Sequence, residues 1–224
     1  MVRTESGEHR LADIDPLAPC SPTKIIGCGP NYMSTIETPG IVDDPEVIER
    51  PYLFFKPPSS VIGDGDAIVE PETSGVHYEG ELTVVIDEPC RSVSAGEAMG
   101  YVRGYTCMND VTATDWTETE EQWVRTKGSD TFSPLGPYLR AEIGELESDP
   151  ELETRVNGEL RQRTDTGNAI FSVAELIADI TENITLEPGD VIATGTPSGV
   201  GSMEPGDTVE VTVENVGTLR NEVV

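Results

Sequence analysis

The chain has 224 residues, which suits one large domain and is long enough to bury a hydrophobic core. Its 42 acidic and 14 basic residues give a net charge of −28. A surface of that sign repels nucleic acids and anionic membranes, so neither is expected as a partner. The acids are spread along the whole chain, which favours a folded protein adapted to concentrated salt, where screening acts over roughly 3 Å at about 1 M.

The chain shows no targeting or membrane signal. Its start, MVRTESGEHRLADIDP, lacks the apolar centre of a signal peptide, and no apolar run approaches the roughly 20 residues of a membrane helix. The four cysteines form no CxxC pair and have no metal-ligand spacing. We therefore predict a cytoplasmic protein with free thiols.

The first part of the chain is predicted to be a polar lead-in followed by short strands. Residues 1–22 are polar, and we place the single folded domain at residues 23–224. KIIGCGPNY, residues 24–32, is typical of a buried strand that opens into a Gly/Pro loop. Residues 33–50 are polar and interrupted by prolines, which indicates a mobile lid or surface excursion. PYLFFKP then predicts another short strand.

Strands and two capped helices are predicted further along. GVHYEGELTVVI, residues 75–86, and the segment YTCMND are expected to be strands, and a capping box of Ser followed three residues later by Glu begins each helix. Two Glu-Pro-Gly-Asp turns precede the strands VIATG and TVEVTV. Without a βαβ rhythm or an internal repeat, the pattern predicts a mostly β (α+β) fold with a few short helices. The capping boxes are Ser94 with Glu97 and Ser172 with Glu175.

Two carboxylates stand at alternate positions near the start of the strand at residues 75–86. Side chains alternate between the faces of a strand, so Glu79 and Glu81 share a face with His77, about 6.6–6.8 Å apart along the backbone. Such carboxylates can lean toward one hard divalent cation, and Asp110 offers a third ligand. The alternative is a solvated strand face, which is common in so acidic a chain. Spacing alone favours the solvated face, and the position of the pair directly before LTVVI, where solvated acids are less expected, strengthens the metal-site interpretation.

Lys127 is one of only three lysines, and it lies in RTKGSDTFSPLGP, which is predicted to be a loop. Beside a metal-bound anion it could hold a carboxylate, or transfer a proton if its pKa is lowered. A surface lysine paired with Asp130 is the alternative.

The segment TGTPSGVG, residues 194–201, offers hydroxyls and flexible backbone N–H groups to an anionic substrate, with a simple turn as the alternative. It lacks the GK[ST] ending of a P-loop, so nucleotide binding is not expected. A Ser-His-Asp triad is not expected either, because His9 and His77 are the only histidines and no G-x-S-x-G elbow is present.

Five segments together resemble the fumarylacetoacetate hydrolase family, in the same order and from about residue 24 to the end: HYEGELTVVI, MNDVTATD, KGSDTFSPLGP, VNGELRQRTDTGNAIFSVAELI and LEPGDVIATGTPSGVG. The resemblance implies the mixed β-roll of that family's C-terminal domain, a homodimer, and Mg²⁺ or Mn²⁺ held by three acids. It also implies a small 2-oxo or enol acid as substrate, with the metal stabilising the enolate formed when a C–C bond breaks or a proton moves.

Site residues follow from the resemblance position by position. They comprise three metal ligands, one catalytic lysine and three substrate contacts: Glu79, Glu81 and Asp110; Lys127; and Tyr32, Gly195 and Thr196.

The chain departs from the family in the residues that activate water and anchor substrate. Thr35 replaces the histidine that follows the Asn-Tyr pair, and Thr38 replaces the glutamate, so Glu37 is the only acid close by. Thr114 and Thr117 replace the arginine and glutamine that follow the Asn-Asp pair. We therefore predict isomerisation or decarboxylation of a 2-oxo or enol (di)carboxylic acid. Two alternatives stay open: a C–C bond hydrolase of acylpyruvate type with Glu37 as its catalytic base, and a binding protein that has lost catalysis.

Overall fold

The computed structural model describes residues 2–4, 7–9, 17–36, 48–72, 74–117, 119–141 and 149–224. Strands dominate these ranges and the helices are short, as the sequence predicts. The strands are β1 Val2–Thr4, β2 Gly7–His9, β3 Ile25–Gly29, β4 Tyr52–Lys56, β5 Val61–Ile62, β6 Ala67–Ile68, β7 Val76–Tyr78, β8 Gly80–Ile86, β9 Val102–Asn109, β10 Thr112–Ala113, β11 Ser133–Arg140, β12 Glu151–Val156, β13 Glu159–Asp165, β14 Val191–Ala193, β15 Gly201–Met203, β16 Thr208–Val213 and β17 Gly217–Val223. The α-helices are α1 Met33–Ile36, α2 Ala95–Ala98, α3 Thr114–Thr117, α4 Val124–Gly128 and α5 Val173–Asn183.

Two large sheets form the body of the molecule. The seven-stranded mixed sheet has the order β4-β3-β14-β8-β9-β11-β5, and the five-stranded sheet has the order β13-β12-β16-β17-β6. The sheets face each other, because Leu82 and Val84 of β8 share one buried cluster with Leu152 of β12 and Val211 of β16. The predicted mostly β roll with few helices is confirmed.

Helix α5 closes one side of this core. Its N-cap Ser172 accepts a hydrogen bond from the Glu175 N–H, and the Glu175 carboxylate accepts the Ser172 N–H at 2.8 Å, so the predicted capping box is present. The apolar face of α5 places Leu176, Ile177 and Ile180 in the main core. The capping box of Ser94 and Glu97 likewise begins α2.

Residues 75–86 form two strands rather than the single strand that the sequence predicts. β7 belongs to a three-stranded sheet of order β10-β7-β15, whereas β8 belongs to the seven-stranded sheet. The chain changes sheets at Glu79, whose N–H donates to the side-chain oxygen of Asn109 at 2.9 Å instead of to a backbone carbonyl. Within β8, Glu81 and Val85 share one face, so that face is apolar at one end and acidic at the other.

Three further expectations concern the polar lead-in, the predicted lid and Lys127, and the last of them is wrong. The polar lead-in contains an antiparallel hairpin of β1 and β2, so His9 lies in a strand. The segment predicted as a lid begins with helix α1, and its residues 37–47, with Glu37 and Thr38, lie outside the described residues. Lys127 lies in helix α4 and not in a loop, because the Gly/Ser/Pro-rich part of its segment begins only at Gly128.

A buried carboxylate anchors the start of the domain. Asp190 accepts hydrogen bonds from the N–H and hydroxyl of Thr23 at 3.0 and 2.7 Å, from the N–H of Glu187 at 2.7 Å, and from the Lys24 ammonium. Burial alone would raise the pKa of Asp190, but these hydrogen bonds outweigh it and hold the pKa below its usual value.

No helix in the described part of the chain has the length and apolar character needed to cross a bilayer. All four cysteines are free thiols, as predicted.

Candidate metal centre

Three carboxylates converge where the seven-stranded and three-stranded sheets meet. Glu79 lies at the junction of β7 and β8, Glu81 lies in β8, and Asp110 directly follows β9. Because β8 and β9 run antiparallel with Gly80 opposite Asn109, the start of one strand meets the end of the other. One oxygen from each carboxylate lies within 4.8 Å of the others. The structure thus brings together the three acids that the sequence pattern singled out.

The glycine between the two glutamates is required by packing. A Cβ at Gly80 would lie 2.0 Å from Thr154 Oγ1 of β12, so only glycine fits between β8 and the facing sheet. The Gly80 N–H donates to Gln162 Oε1 at 3.0 Å, and the Gly80 carbonyl accepts from Thr196 Oγ1 at 2.8 Å. The backbone between the two carboxylates is therefore held from both sides.

Asp110 is bonded by two buried lysines. Lys127 Nζ donates to Asp110 Oδ2 at 2.7 Å, and Lys56 Nζ donates to Oδ1 and to the Val111 carbonyl at 3.1 Å. Burial alone would raise the pKa of Asp110, but the two ammonium groups outweigh it, so the pKa lies below its usual value. Lys56 was not identified from the sequence. The available signal was that the chain has only three lysines, and that this one ends a strand whose other residues are aromatic or aliphatic.

Lys127 is buried in the site rather than paired with Asp130 at the surface. Its Nζ donates to Thr112 Oγ1 at 2.7 Å and lies 3.0 Å from Glu79 Oε2. Burial opposes the charge of Lys127, but Asp110 and Glu79 outweigh burial and raise the pKa above its usual value. Lys127 therefore lacks the lowered pKa that a proton-accepting lysine needs, and its ammonium acts as a hydrogen-bond donor in the site.

Glu81 is the carboxylate that most lacks a counter-charge. It is 2% exposed, and its Oε2 accepts the Gly195 N–H at 2.7 Å. Burial, followed by the charges of Asp110 and Glu79, raises the pKa of Glu81 well above its usual range. Three carboxylates here face two ammonium groups, and an all-oxygen set with excess negative charge fits a hard divalent cation such as Mg²⁺ or Mn²⁺.

The carboxylates open into a cavity of about 280 Å³. Thr196, predicted to contact substrate, lines it, and its hydroxyl accepts from Gln162 Nε2 at 2.8 Å. Gln162 was not identified from the sequence, because only the folding of β13 against residues 195–197 brings it there. The rest of the cavity wall consists mainly of apolar side chains and threonine hydroxyls, among them Phe54, Trp123, Val200, Thr35 and Thr117.

Three residues singled out from the sequence do not line this cavity. Tyr32 lines a neighbouring cavity of about 260 Å³ together with Tyr105 and Phe171. The N–H of Gly195 is engaged by Glu81, so these contacts do not support its predicted role in substrate binding. His77 pairs with Ser202 through its Nε2, 3.1 Å from the serine oxygen.

A model of the C-terminal domain of fumarylacetoacetate (FAA) hydrolases matches residues 24–224. The chain belongs to the fumarylacetoacetate hydrolase family. It is 41% identical over 229 residues to oxaloacetate tautomerase YisK of Bacillus subtilis, covering 96% of this chain and 75% of the relative.

Solved structures of family members superpose closely. A 5-carboxymethyl-2-hydroxymuconate delta-isomerase from Mycobacterium smegmatis matches with a TM-score of 0.87 and 44% identity, covering 97% of this chain and 86% of that one. A maleylpyruvate hydrolase from Sphingobium matches with a TM-score of 0.81 and 31% identity, covering 96% and 76%. The family is therefore one of enzymes that act on small molecules and includes isomerases, hydrolases and tautomerases.

Proposed function

We propose that this family member is a divalent-metal-dependent enzyme that isomerises a small 2-oxo or enol acid by moving a proton, with decarboxylation as the other reaction open to the same site. The observation that carries the proposal is the pocket itself: three carboxylates and a buried lysine with a raised pKa share it, and its described lining contains no histidine. The names of the tautomerase and isomerase relatives agree with proton transfer.

Glu79, Glu81 and Asp110 would hold Mg²⁺ or Mn²⁺. When bound, such an ion supplies a Lewis acid for the 2-oxo carbonyl and for the negative charge that develops on its oxygen.

Lys127 and Thr196 would orient the substrate. The Lys127 ammonium can donate to a substrate carboxylate or enol oxygen, because its raised pKa keeps it charged. Because it starts protonated, Lys127 is a poor acceptor for the proton that leaves the substrate, so we assign it the orienting role. Thr196 Oγ1 lies in the cavity wall, where a substrate oxygen can reach it.

Hydrolysis of a C–C bond needs a group that activates water. The described wall supplies hydroxyls where a histidine would serve, with Thr35 at the position that the family resemblance gives to histidine. The maleylpyruvate hydrolase relative keeps hydrolysis as the second candidate, for which Glu37 would be the base. A Glu37→Gln variant that retained full hydrolytic activity would remove that candidate.

The test is a panel of 2-oxo and enol acids in concentrated salt, with Mg²⁺ or Mn²⁺ and an EDTA control. Proton exchange at the carbon next to the carbonyl, followed by NMR in D₂O, reports isomerisation separately from loss of carbon dioxide or C–C cleavage. We expect EDTA-sensitive exchange in the native protein and none in Asp110→Ala. Full activity of Asp110→Ala would refute the assignment, and metal-dependent binding without turnover would identify a binding protein.

A further inference from the structure

Five threonines line the cavity beside the carboxylates, and four of them donate their hydroxyl hydrogen to a protein oxygen. The fifth is Thr126, whose Oγ1 has no hydrogen-bond partner. Because a hydroxyl has one hydrogen, Thr126 is the threonine of this cavity wall whose donor is left for a ligand. The four bonds run from Thr35 to the Thr196 carbonyl at 2.7 Å, from Thr112 to Glu79 Oε1 at 2.6 Å, from Thr117 to the Ala113 carbonyl at 3.0 Å and from Thr196 to the Gly80 carbonyl at 2.8 Å.

The unpaired hydroxyl of Thr126 is buried. The residue is only 1% exposed, so bulk water does not replace the missing partner. Most buried polar side-chain atoms in folded proteins are hydrogen-bonded, because leaving one unpaired destabilises the protein. Among the residues that the structure describes, Thr83, Asn109 and Thr154 also carry an unpaired buried atom, but none of these three lines the cavity.

The helix that carries Thr126 does not use the hydroxyl either. A threonine in a helix commonly donates to the carbonyl three or four residues earlier, and it has two accessible χ1 rotamers. No such bond is present at Thr126, although the backbone beside it is regular, with the Lys127 N–H donating to the Trp123 carbonyl at 3.0 Å. The hydroxyl can therefore turn toward a ligand without breaking a bond to its own helix.

The other donors of the cavity wall have competing partners. The Lys127 ammonium bonds to Asp110 and Thr112 and lies 3.0 Å from Glu79, so a ligand oxygen competes with protein oxygens for its hydrogens. The indole N–H of Trp123 belongs to a residue that is 41% exposed, where water can accept from it. The hydrogen of the Thr126 hydroxyl has neither kind of competitor.

We infer that Thr126 is a substrate-binding residue of this site and that its hydroxyl donates a hydrogen bond to an oxygen of the bound 2-oxo or enol acid. In the free protein the unpaired hydroxyl lowers stability, and the ligand supplies the missing acceptor. The inference rests on the proposed function for the nature of the ligand. It adds a residue to which the sequence analysis gave no role.

Thr126→Val removes the hydroxyl and keeps a branched side chain of similar size. We expect the melting temperature of the metal-free protein to rise by about 3 °C, because an unpaired buried polar group is lost. We expect the affinity of the Mn²⁺-loaded protein for the acid to fall about 10-fold, the change that corresponds to one hydrogen bond. Thr126→Ser retains the hydroxyl and should keep the native affinity.

Oxalate and oxaloacetate are the probes, and the rise in melting temperature with their concentration gives each Kd. Oxalate presents only two adjoining carboxylates, whereas oxaloacetate has a 2-oxo acid group and a distal carboxylate. Weaker binding of both acids by Thr126→Val supports a contact at the 2-oxo acid end. Weaker binding of oxaloacetate alone supports a contact with the distal carboxylate.

Thr83→Val is the matched control, because Thr83 is 0% exposed, has an unpaired Oγ1 and does not line the cavity. It should raise the melting temperature similarly and leave both affinities unchanged. An equal loss of affinity in Thr83→Val and Thr126→Val would assign the effect to packing and overturn the inference. A lower melting temperature of the metal-free protein in both Thr126→Val and Thr126→Ala would also overturn it, since the hydroxyl would then stabilise the free protein.

The proposed function and the inference fail in different ways. Binding that weakens in Thr126→Val, without turnover of any acid, retains the inference and removes the enzyme. Turnover by the native protein, with equal affinities in native protein and Thr126→Val, retains the enzyme and removes the inference, and a water molecule is then the partner of Thr126. Native protein that binds neither acid in the presence of Mn²⁺ removes both.

Discussion

The buried ammonium of Lys56 donates a hydrogen bond to Oδ1 of Asp110, across 54 residues of sequence. Both side chains are almost completely inaccessible to solvent. Asp110 can therefore stay ionised inside the protein while it faces two other carboxylates, because Lys56 and Lys127 share its charge.

Replacement of Lys56 by Met tests this arrangement. The variant leaves three carboxylates facing one ammonium, and we expect the free energy of unfolding without metal to fall by about 3 kcal/mol, as when one partner of a buried pair is removed. Mn²⁺ should raise the melting temperature of the variant more than that of the native protein, because it supplies the missing charge. Arg50→Met, which breaks an exposed pair with Asp179, is the control and should cost less than about 1 kcal/mol. A variant that is destabilised equally with and without Mn²⁺ would show that Lys56 acts through packing alone.

The raised pKa of Glu81 predicts how metal binding depends on pH. Between the ordinary glutamate pKa of about 4.3 and the raised folded value, the folded metal-free protein holds a proton that the unfolded chain has lost. The contribution of Glu81 to stability therefore falls as pH rises through this window, and a metal must displace the proton. We expect the affinity for Mn²⁺ and the resulting rise in melting temperature to increase with pH across the window. Glu81→Gln should bind Mn²⁺ more weakly with a flatter pH dependence, and an unchanged slope would contradict the prediction.

Gly80 is predicted to tolerate no side chain. The Cβ of Gly80→Ala would meet Thr154 Oγ1 at 2.0 Å and Val211 Cγ1 at 3.3 Å, so we expect a loss of about 2 kcal/mol and weaker metal binding. Gly96→Ala is the matched control, because nothing lies within 4 Å of its new Cβ and alanine favours the helix. Adding Thr154→Ala to Gly80→Ala should restore part of the stability, since it removes the nearest atom. Equal stability of the two single variants, followed by chemical denaturation, would contradict the packing argument.

Asp190→Asn is expected to destabilise the domain by about 3 kcal/mol near neutral pH, because a buried acceptor of charge-assisted hydrogen bonds loses its charge. The pKa of Asp190 is lowered in the folded state, so its stabilisation is present above the unfolded pKa of about 3.9 and is lost as pH falls through the folded value. The difference in melting temperature between native and variant proteins should therefore shrink below about pH 4. A difference that stays constant down to acidic pH would assign the effect to packing.

Much of the local structure could be predicted because it depends on short-range patterns. The capping boxes at Ser94 and Ser172 began helices as expected, since capping depends on residues three apart. Val209, Val211 and Val213 are buried at alternate positions of β16, as strand periodicity requires. The convergence of Glu79 and Glu81 was expected from the same alternation, but Glu79 lies between β7 and β8, so the junction of two sheets brings the carboxylates together.

The sequence by itself determined the strand-rich fold, because strands and turns depend on short-range patterns. It also determined the family resemblance and the three candidate metal ligands, because these depend on five motifs in a fixed order along the chain. Only the tertiary structure decided which groups surround those ligands. Lys56 and Gln162 reach the site from distant strands, Tyr32 is directed into a neighbouring cavity, and the pKa of Lys127 is raised by Asp110 and Glu79 instead of being lowered by burial. Electrostatic environment and packing depend on contacts between residues far apart in the chain, which local periodicity does not encode.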